Sequence, residues 1–148
     1  LNKNKPSSEI LLHSWIYKNH KHIRAVVHSH SKWASILSCM RISIPSFHYM
    51  VAEFGGNDIK CSKYATFGSD KLSKYVNKVL HKRKGCLIAN HGQVTIGDNL
   101  EEAVDLSIAL EKLSEQFYYL LITKQTKLLS NEEMRKIVKL FEDYKVKH

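Results

Sequence analysis

Two apolar runs in this chain end in histidine, and that pattern constrains the fold more than any other. Ala25-Val26-Val27 leads into His28-Ser29-His30, and Cys86-Leu87-Ile88-Ala89 leads into Asn90-His91-Gly92. Short apolar runs of this kind predict buried strands. Residues i and i+2 of a strand share a face, so His28 and His30 project side by side from one strand end. His91 closes the second strand. Three imidazoles converging from two strand ends would form a tripodal metal site with one coordination position open, the arrangement of a catalytic zinc rather than a structural one. Ser29, Ala89 and Gly92 are small enough to leave room for a metal and a substrate. The chain holds nine His, so an HxH pair also arises by chance. On spacing alone a surface or core reading of these histidines stays open.

The rest of the composition narrows the class. A chain of 148 residues is one domain by length, with enough sequence for a real core. No run reaches ~18 apolar residues, so no membrane span is expected. The opening Leu1-Asn2-Lys3-Asn4-Lys5-Pro6 is charged but has no apolar segment of the signal-peptide kind. Cys39, Cys61 and Cys86 are odd in number and widely spaced, and none forms a CxxC. They predict reduced thiols in a cytoplasmic protein rather than a disulfide frame. The net charge of +9 comes from scattered lysines, with Lys82-Arg83-Lys84 the one cluster. No RNP-like or zinc-finger pattern accompanies it, so a solvated surface is preferred to a nucleic-acid partner. A modest positive field also suits an anionic, phosphorylated substrate.

Periodicity predicts alternating helices and strands. Ser7 or Ser8 caps a helix to about Asn19, with Leu11/Trp15 and Leu12/Ile16 as i,i+4 pairs. Ile23 to His28 is a strand, Lys32 to Met40 a helix, and Phe47 to Met50 a short turn or helix that ends at Gly55-Gly56. Ile59 to Tyr64 is expected as a strand. Asp70 to His81 is amphipathic, with Leu72, Val76 and Leu80 on one face. Cys86 to Ala89 and Gln93 to Ile96 are strands around the Asn90-His91-Gly92 turn. Asn99 caps a long helix to about Thr123, with Ala103, Leu106, Leu110, Leu113, Phe117 and Leu120 as its core stripe. Ser130-x-x-Glu133 has capping-box spacing for a last helix ending near Glu142. The alternation predicts a sheet covered by helices.

Five segments together resemble the class II aldolase/adducin-head family, in its fuculose-type branch. They are Lys5-Pro6-Ser7-Ser8-Glu9, Val26-Val27-His28-Ser29-His30, Ile44-Pro45-Ser46-Phe47-His48-Tyr49-Met50, Tyr64-Ala65-Thr66-Phe67-Gly68 and Asn90-His91-Gly92. Adducin heads lack the histidine set, so the three His favour an enzyme ancestry. The resemblance implies a three-layer α/β/α fold with a mainly antiparallel central sheet. It implies one Zn2+ per subunit on His28, His30 and His91, with Glu9 beside it as general acid/base. It places the substrate phosphate on Ser7 and Ser8 and the aldehyde pocket at Phe67. Tyr49 and Tyr144 would reach the site of a neighbouring subunit in a homotetramer. The implied reaction is cleavage of a ketose 1-phosphate of the L-fuculose 1-phosphate type to dihydroxyacetone phosphate and an aldehyde. Related sugar-phosphate aldolases and a 4-epimerase share the metal site.

On the residues alone, Glu9 reads as a first-turn acid favoured by the helix dipole. Ser7 and Ser8 read as caps, and Tyr49 and Phe67 as core aromatics. His13, His20, His22, His81 and His148 read as surface histidines, and His48 has no assigned role. The family domain begins well upstream of the PSSE segment, so residues 1–148 are expected to be its C-terminal two-thirds. That expectation leaves a second reading, a catalytically impaired remnant or assembly module of the same fold. A basic nucleic-acid binder ranks third.

Overall fold

In the computed structural model, residues 6–146 are described. Lys5, most of the irregular start expected at Leu1 to Pro6, and His148 lie outside them. The elements run α1 (Ile10–Asn19), β1 (Ala25–Ser29), α2 (Lys32–Met40), a 3-10 helix (Tyr49–Phe54), α3 (Asp70–Leu80), β2 (Gly85–Ile88), β3 (Gly92–Gly97), α4 (Leu100–Thr123) and α5 (Asn131–Val146).

The three strands form one antiparallel sheet in the order β1-β3-β2. His28 lies opposite Val94 and Ser29 opposite Gln93. Cross-strand partners share a face, so His28 and Val94 point to one side while Ser29, Gln93 and Thr95 point to the other. On the first side Cys86, Ile88, Val94 and Ile96 pack with Leu12 and Ile16 of α1 and Leu72, Val76 and Leu80 of α3. On the second, Leu87 packs with Ala34 and Leu37 of α2, Leu106, Leu110 and Leu113 of α4, and Phe54. Apolar layers on both faces make this the three-layer α/β/α arrangement.

Thr95 and the Gln93 amide nitrogen on the second face are hydrogen-bonded to α4. Thr95 Oγ1 donates to the Ala103 oxygen at 2.7 Å, and Gln93 Nε2 to the Ser107 oxygen at 3.1 Å. These bonds seat α4 on β3. Asn99 caps α4 by accepting the Glu102 N–H at 2.8 Å, and Ser69 caps α3 by accepting that of Leu72 at 3.1 Å.

Four expectations change. α1 starts at Ile10 with Glu9 as its N-cap residue, and neither serine caps it. Residues Ser8 and Glu9 form a preceding turn in which Ser7 Oγ accepts the Glu9 N–H at 3.2 Å. The expected strand over Ile59 to Tyr64 is reduced to single bridges at Ile59 with Ile44 and Cys61 with Leu87. Beyond Ser62 the chain leaves the sheet, and Lys63 and Tyr64 are exposed. α5 runs to Val146 rather than ending near Glu142. His20 is buried at the end of α1 rather than on the surface.

Candidate metal centre

The site grows from the two strand ends. β1 closes at Ser29, and His30 comes next in the chain. β2 and β3 are joined by a tight turn in which Asn90 takes the left-handed conformation (φ 53°) and precedes His91. Glycine is required next: a Cβ on Gly92 would collide with the Ser29 carbonyl oxygen and crowd the His30 ring. That close approach brings the HxH pair and His91 to one point.

The geometry is specific. His28 Nε2 lies 3.2 Å from His91 Nε2 and 3.2 Å from His30 Nε2. The three ring centroids stand 4.8–4.9 Å apart. His28 Nδ1 lies 2.8 Å from the Gln93 main-chain oxygen. A carbonyl can only accept, so Nδ1 carries the hydrogen and the Nε2 lone pair of His28 faces the other two rings. Burial lowers the pKa of both His28 and His91. For His28 the bond to the Gln93 oxygen opposes that effect, while the nearby His91 and His30 add to it. Both rings are thereby held toward the neutral form that a metal needs.

Glu9 sits against this cluster. Its charge raises the pKa of both His28 and His91, against the effect of burial. Glu9 Oε2 is buried with no hydrogen-bond partner among the described residues. Ser7, Ser8, Glu9, His28, His30, Phe67 and His91 line one cleft of about 580 Å3. Three imidazoles gathered at one point beside a carboxylate oxygen with no partner among the described residues suit a divalent cation. Two nitrogens on a tetrahedral zinc at ~2.0–2.1 Å stand about 3.3 Å apart, close to the two 3.2 Å separations from His28 Nε2.

Not every expected site residue is in the cleft. Tyr49 and Tyr144 lie on an apolar surface with Ile137, Leu140 and Phe141. The Tyr49 ring is parallel to that of Phe141 at 6.5 Å. Neither Tyr49 nor Phe67 is a core aromatic; they are 51% and 66% exposed. Tyr64 and Asn90, which had no role assigned, also line the cleft. Arg41 braces both: its Nε donates to Asn90 Oδ1 at 2.7 Å and its guanidinium lies over the Tyr64 ring. Both residues stood inside motifs visible in the sequence, next to Ala65 and His91. Cys39, Cys61 and Cys86 are free thiols, and burial pushes the Cys61 thiol up to about 11. No helix among the described residues is long and apolar enough to cross a membrane.

Comparison with known proteins adds independent findings. The profile of the Class II Aldolase and Adducin N-terminal domain matches residues 1–118. A 5-methylthioribulose-1-phosphate/5-deoxyribulose-1-phosphate aldolase of Rhodospirillum rubrum is 39% identical over 140 residues, covering 95% of this chain and 63% of that protein. The L-fuculose phosphate aldolase of Escherichia coli K12 is also 39% identical over 140 residues, covering 94% of this chain and 65% of that protein. A solved structure of an L-fuculose 1-phosphate aldolase superposes with a TM-score of 0.91 at 30% identity, covering 95% of this chain and 66% of that one. The chain therefore spans a little under two thirds of the length of these relatives.

Proposed function

This chain belongs to the class II aldolase and adducin N-terminal domain family, and from that premise we propose that it forms the metal-binding and proton-transfer part of a zinc-dependent aldolase. The substrate is a ketose 1-phosphate of the L-fuculose 1-phosphate type, and the products are dihydroxyacetone phosphate and an aldehyde. The observation that carries the reading is the convergence of His28, His30 and His91 beside the unpartnered Glu9 oxygen.

His28, His30 and His91 would hold a zinc ion, which would supply Lewis acidity for the negative charge that develops beside the ketone. Everything else falls to the chain. When the C–C bond breaks, its electron pair stays with the ketone half, and that carbon must gain a proton. Glu9 is the carboxyl group in the cleft that can deliver it, and in the reverse direction remove it. The exposed Ser7 and Ser8 hydroxyls lie just before α1, where helix N–H groups favour an anion, and they hold the phosphate. Phe67 walls the aldehyde end. The hydroxyl that becomes the aldehyde must lose its proton, and Tyr49 and Tyr144 of a neighbouring copy serve that end in a tetramer.

The test is zinc content together with release of dihydroxyacetone phosphate, coupled to its reduction by NADH. L-fuculose 1-phosphate and 5-deoxyribulose 1-phosphate are compared side by side, because the two relatives carry those names. One zinc per chain with release from either substrate is expected. Absence of both zinc and release gives the non-catalytic reading instead.

A further inference from the structure

We infer that Glu111, on α4 and away from the walls of the cleft, is a positioning residue for the histidine trio, acting through Ser31 and Gln93. The inference rests on the metal-site reading and extends it to groups that no sequence pattern singled out.

The Glu111 carboxylate accepts three hydrogen bonds. Ser31 Oγ donates to Oε2 at 2.6 Å, the Trp33 N–H to Oε1 at 2.8 Å and the Ala34 N–H to Oε2 at 2.9 Å. Ser31 is the N-cap residue of α2 but makes no cap bond with its own side chain. Glu111 takes the N-terminal N–H groups instead, leaving the Ser31 hydroxyl for another task. That hydroxyl accepts from Gln93 Nε2 at 2.8 Å.

The direction of every bond in this chain is determined. The Ser107 carbonyl can only accept, so the nitrogen of the Gln93 amide must face it, at 3.1 Å. The same nitrogen faces Ser31 Oγ, so Ser31 accepts there and its own hydrogen goes to Glu111. Gln93 is 1% exposed, and its Oε1 is buried without a partner among the described residues. The amide is therefore held by its nitrogen alone, and Ser31 supplies one of the two anchors. The main-chain oxygen of the same Gln93 accepts the His28 Nδ1 hydrogen at 2.8 Å. Ser31 is also the residue directly after His30 in the chain. One network thus reaches both members of the HxH pair: the Nδ1 bond sets the tautomer of His28, and Ser31 pins the backbone beside His30. Groups that orient a metal-binding imidazole in this way typically change metal affinity by ~10–100-fold when removed.

A purely structural role, capping α2, must be separated from positioning. Ser31→Ala does this, because it cuts the link to Gln93 and leaves the Glu111 bonds to Trp33 and Ala34 in place. Glu111→Gln is the companion variant. Ser114→Ala is the control: it removes another buried α4 hydroxyl, which donates to the Leu110 oxygen at 2.8 Å and lies outside the network. Two readouts are taken. Zinc affinity is measured by competition with a chromophoric chelator. The His28 tautomer is read in the metal-free protein at pH 8 from nitrogen-15 NMR of the histidine rings. We expect about tenfold weaker zinc binding in Glu111→Gln and Ser31→Ala, with a mixed His28 tautomer, and wild-type behaviour in Ser114→Ala. A His28 tautomer still held on Nδ1 in either network variant overturns the inference. If the wild type itself binds no zinc, the metal-site reading falls, and the tautomer alone decides the role of Glu111.

Discussion

His28 Nε2 and His91 Nε2 lie 3.2 Å apart although the two residues are 63 positions apart in the chain. Two imidazole nitrogens that close, with the His28 lone pair turned inward, invite a shared cation. His91→Ala is therefore predicted to remove stoichiometric zinc, measured by plasma mass spectrometry, and to weaken zinc binding at least ~100-fold. Far-ultraviolet circular dichroism stays that of the wild type, because His91 is partly exposed at a turn. In the wild type, zinc at 100 times its Kd raises unfolding stability by about 2.7 kcal/mol. A wild-type melting curve that ignores zinc would refute the site.

Glu9→Gln is expected to keep the metal and lose turnover. The amide preserves shape but cannot exchange the proton, so kcat falls by ~10²–10⁴, with zinc content unchanged. Loss of zinc in this variant would make Glu9 a ligand instead, and unchanged kcat would remove it from the chemistry.

Much of this was legible in the sequence, for identifiable reasons. α2 spans Lys32–Met40 as the sequence predicts, because an apolar helical run stopped before Pro45 has a clear end. The HxH alternation and the Asn-His-Gly turn are local signals, and they mark the strand ends from which the three histidines meet. The Ile59 to Tyr64 segment misled because Ile59 and Cys61 do make bridges, whereas Tyr64, Ala65 and Phe67 leave the sheet to wall the cleft. The network behind His28 left no trace. Glu111, Ser31 and Gln93 are ordinary polar residues; Ser31 lies 80 positions from Glu111 and 62 from Gln93, and spacing rules do not reach that far.

Acid is predicted to destabilise the metal-free protein through buried and half-buried histidines. Burial lowers the pKa of His20, and the neighbouring His22 and His81 add to the effect. His13 is lowered too, by burial. A histidine with a lowered folded pKa is protonated first in the unfolded state. Its contribution is therefore intact above the ordinary value of ~6.5 and is lost as pH falls below it, until the folded form also takes the proton. The urea midpoint should fall between pH 7 and pH 5, and His20→Gln should flatten that fall. A midpoint in the wild type that does not change over this range would contradict the sign.

The last prediction concerns the surface that carries Tyr49 and Tyr144. Tyr49, Leu140 and Tyr144 are 51%, 66% and 66% exposed around Phe141. Contiguous apolar side chains of this size are usually covered by a partner, and in closed assemblies the partner is commonly a second copy. If Tyr49 and Tyr144 serve a neighbouring cleft, that partner must be another copy of this chain. Light scattering at micromolar concentration should then report an oligomer, with a tetramer expected. Burying one leucine is worth ~1.5–3 kcal/mol, so Leu140→Glu should weaken association by at least about tenfold. It should leave zinc content unchanged, because Leu140 lies outside the histidine cleft. A wild-type chain that scatters as a monomer would leave Tyr49 with no neighbouring site to serve, and would move the proton transfer at the aldehyde oxygen to another group.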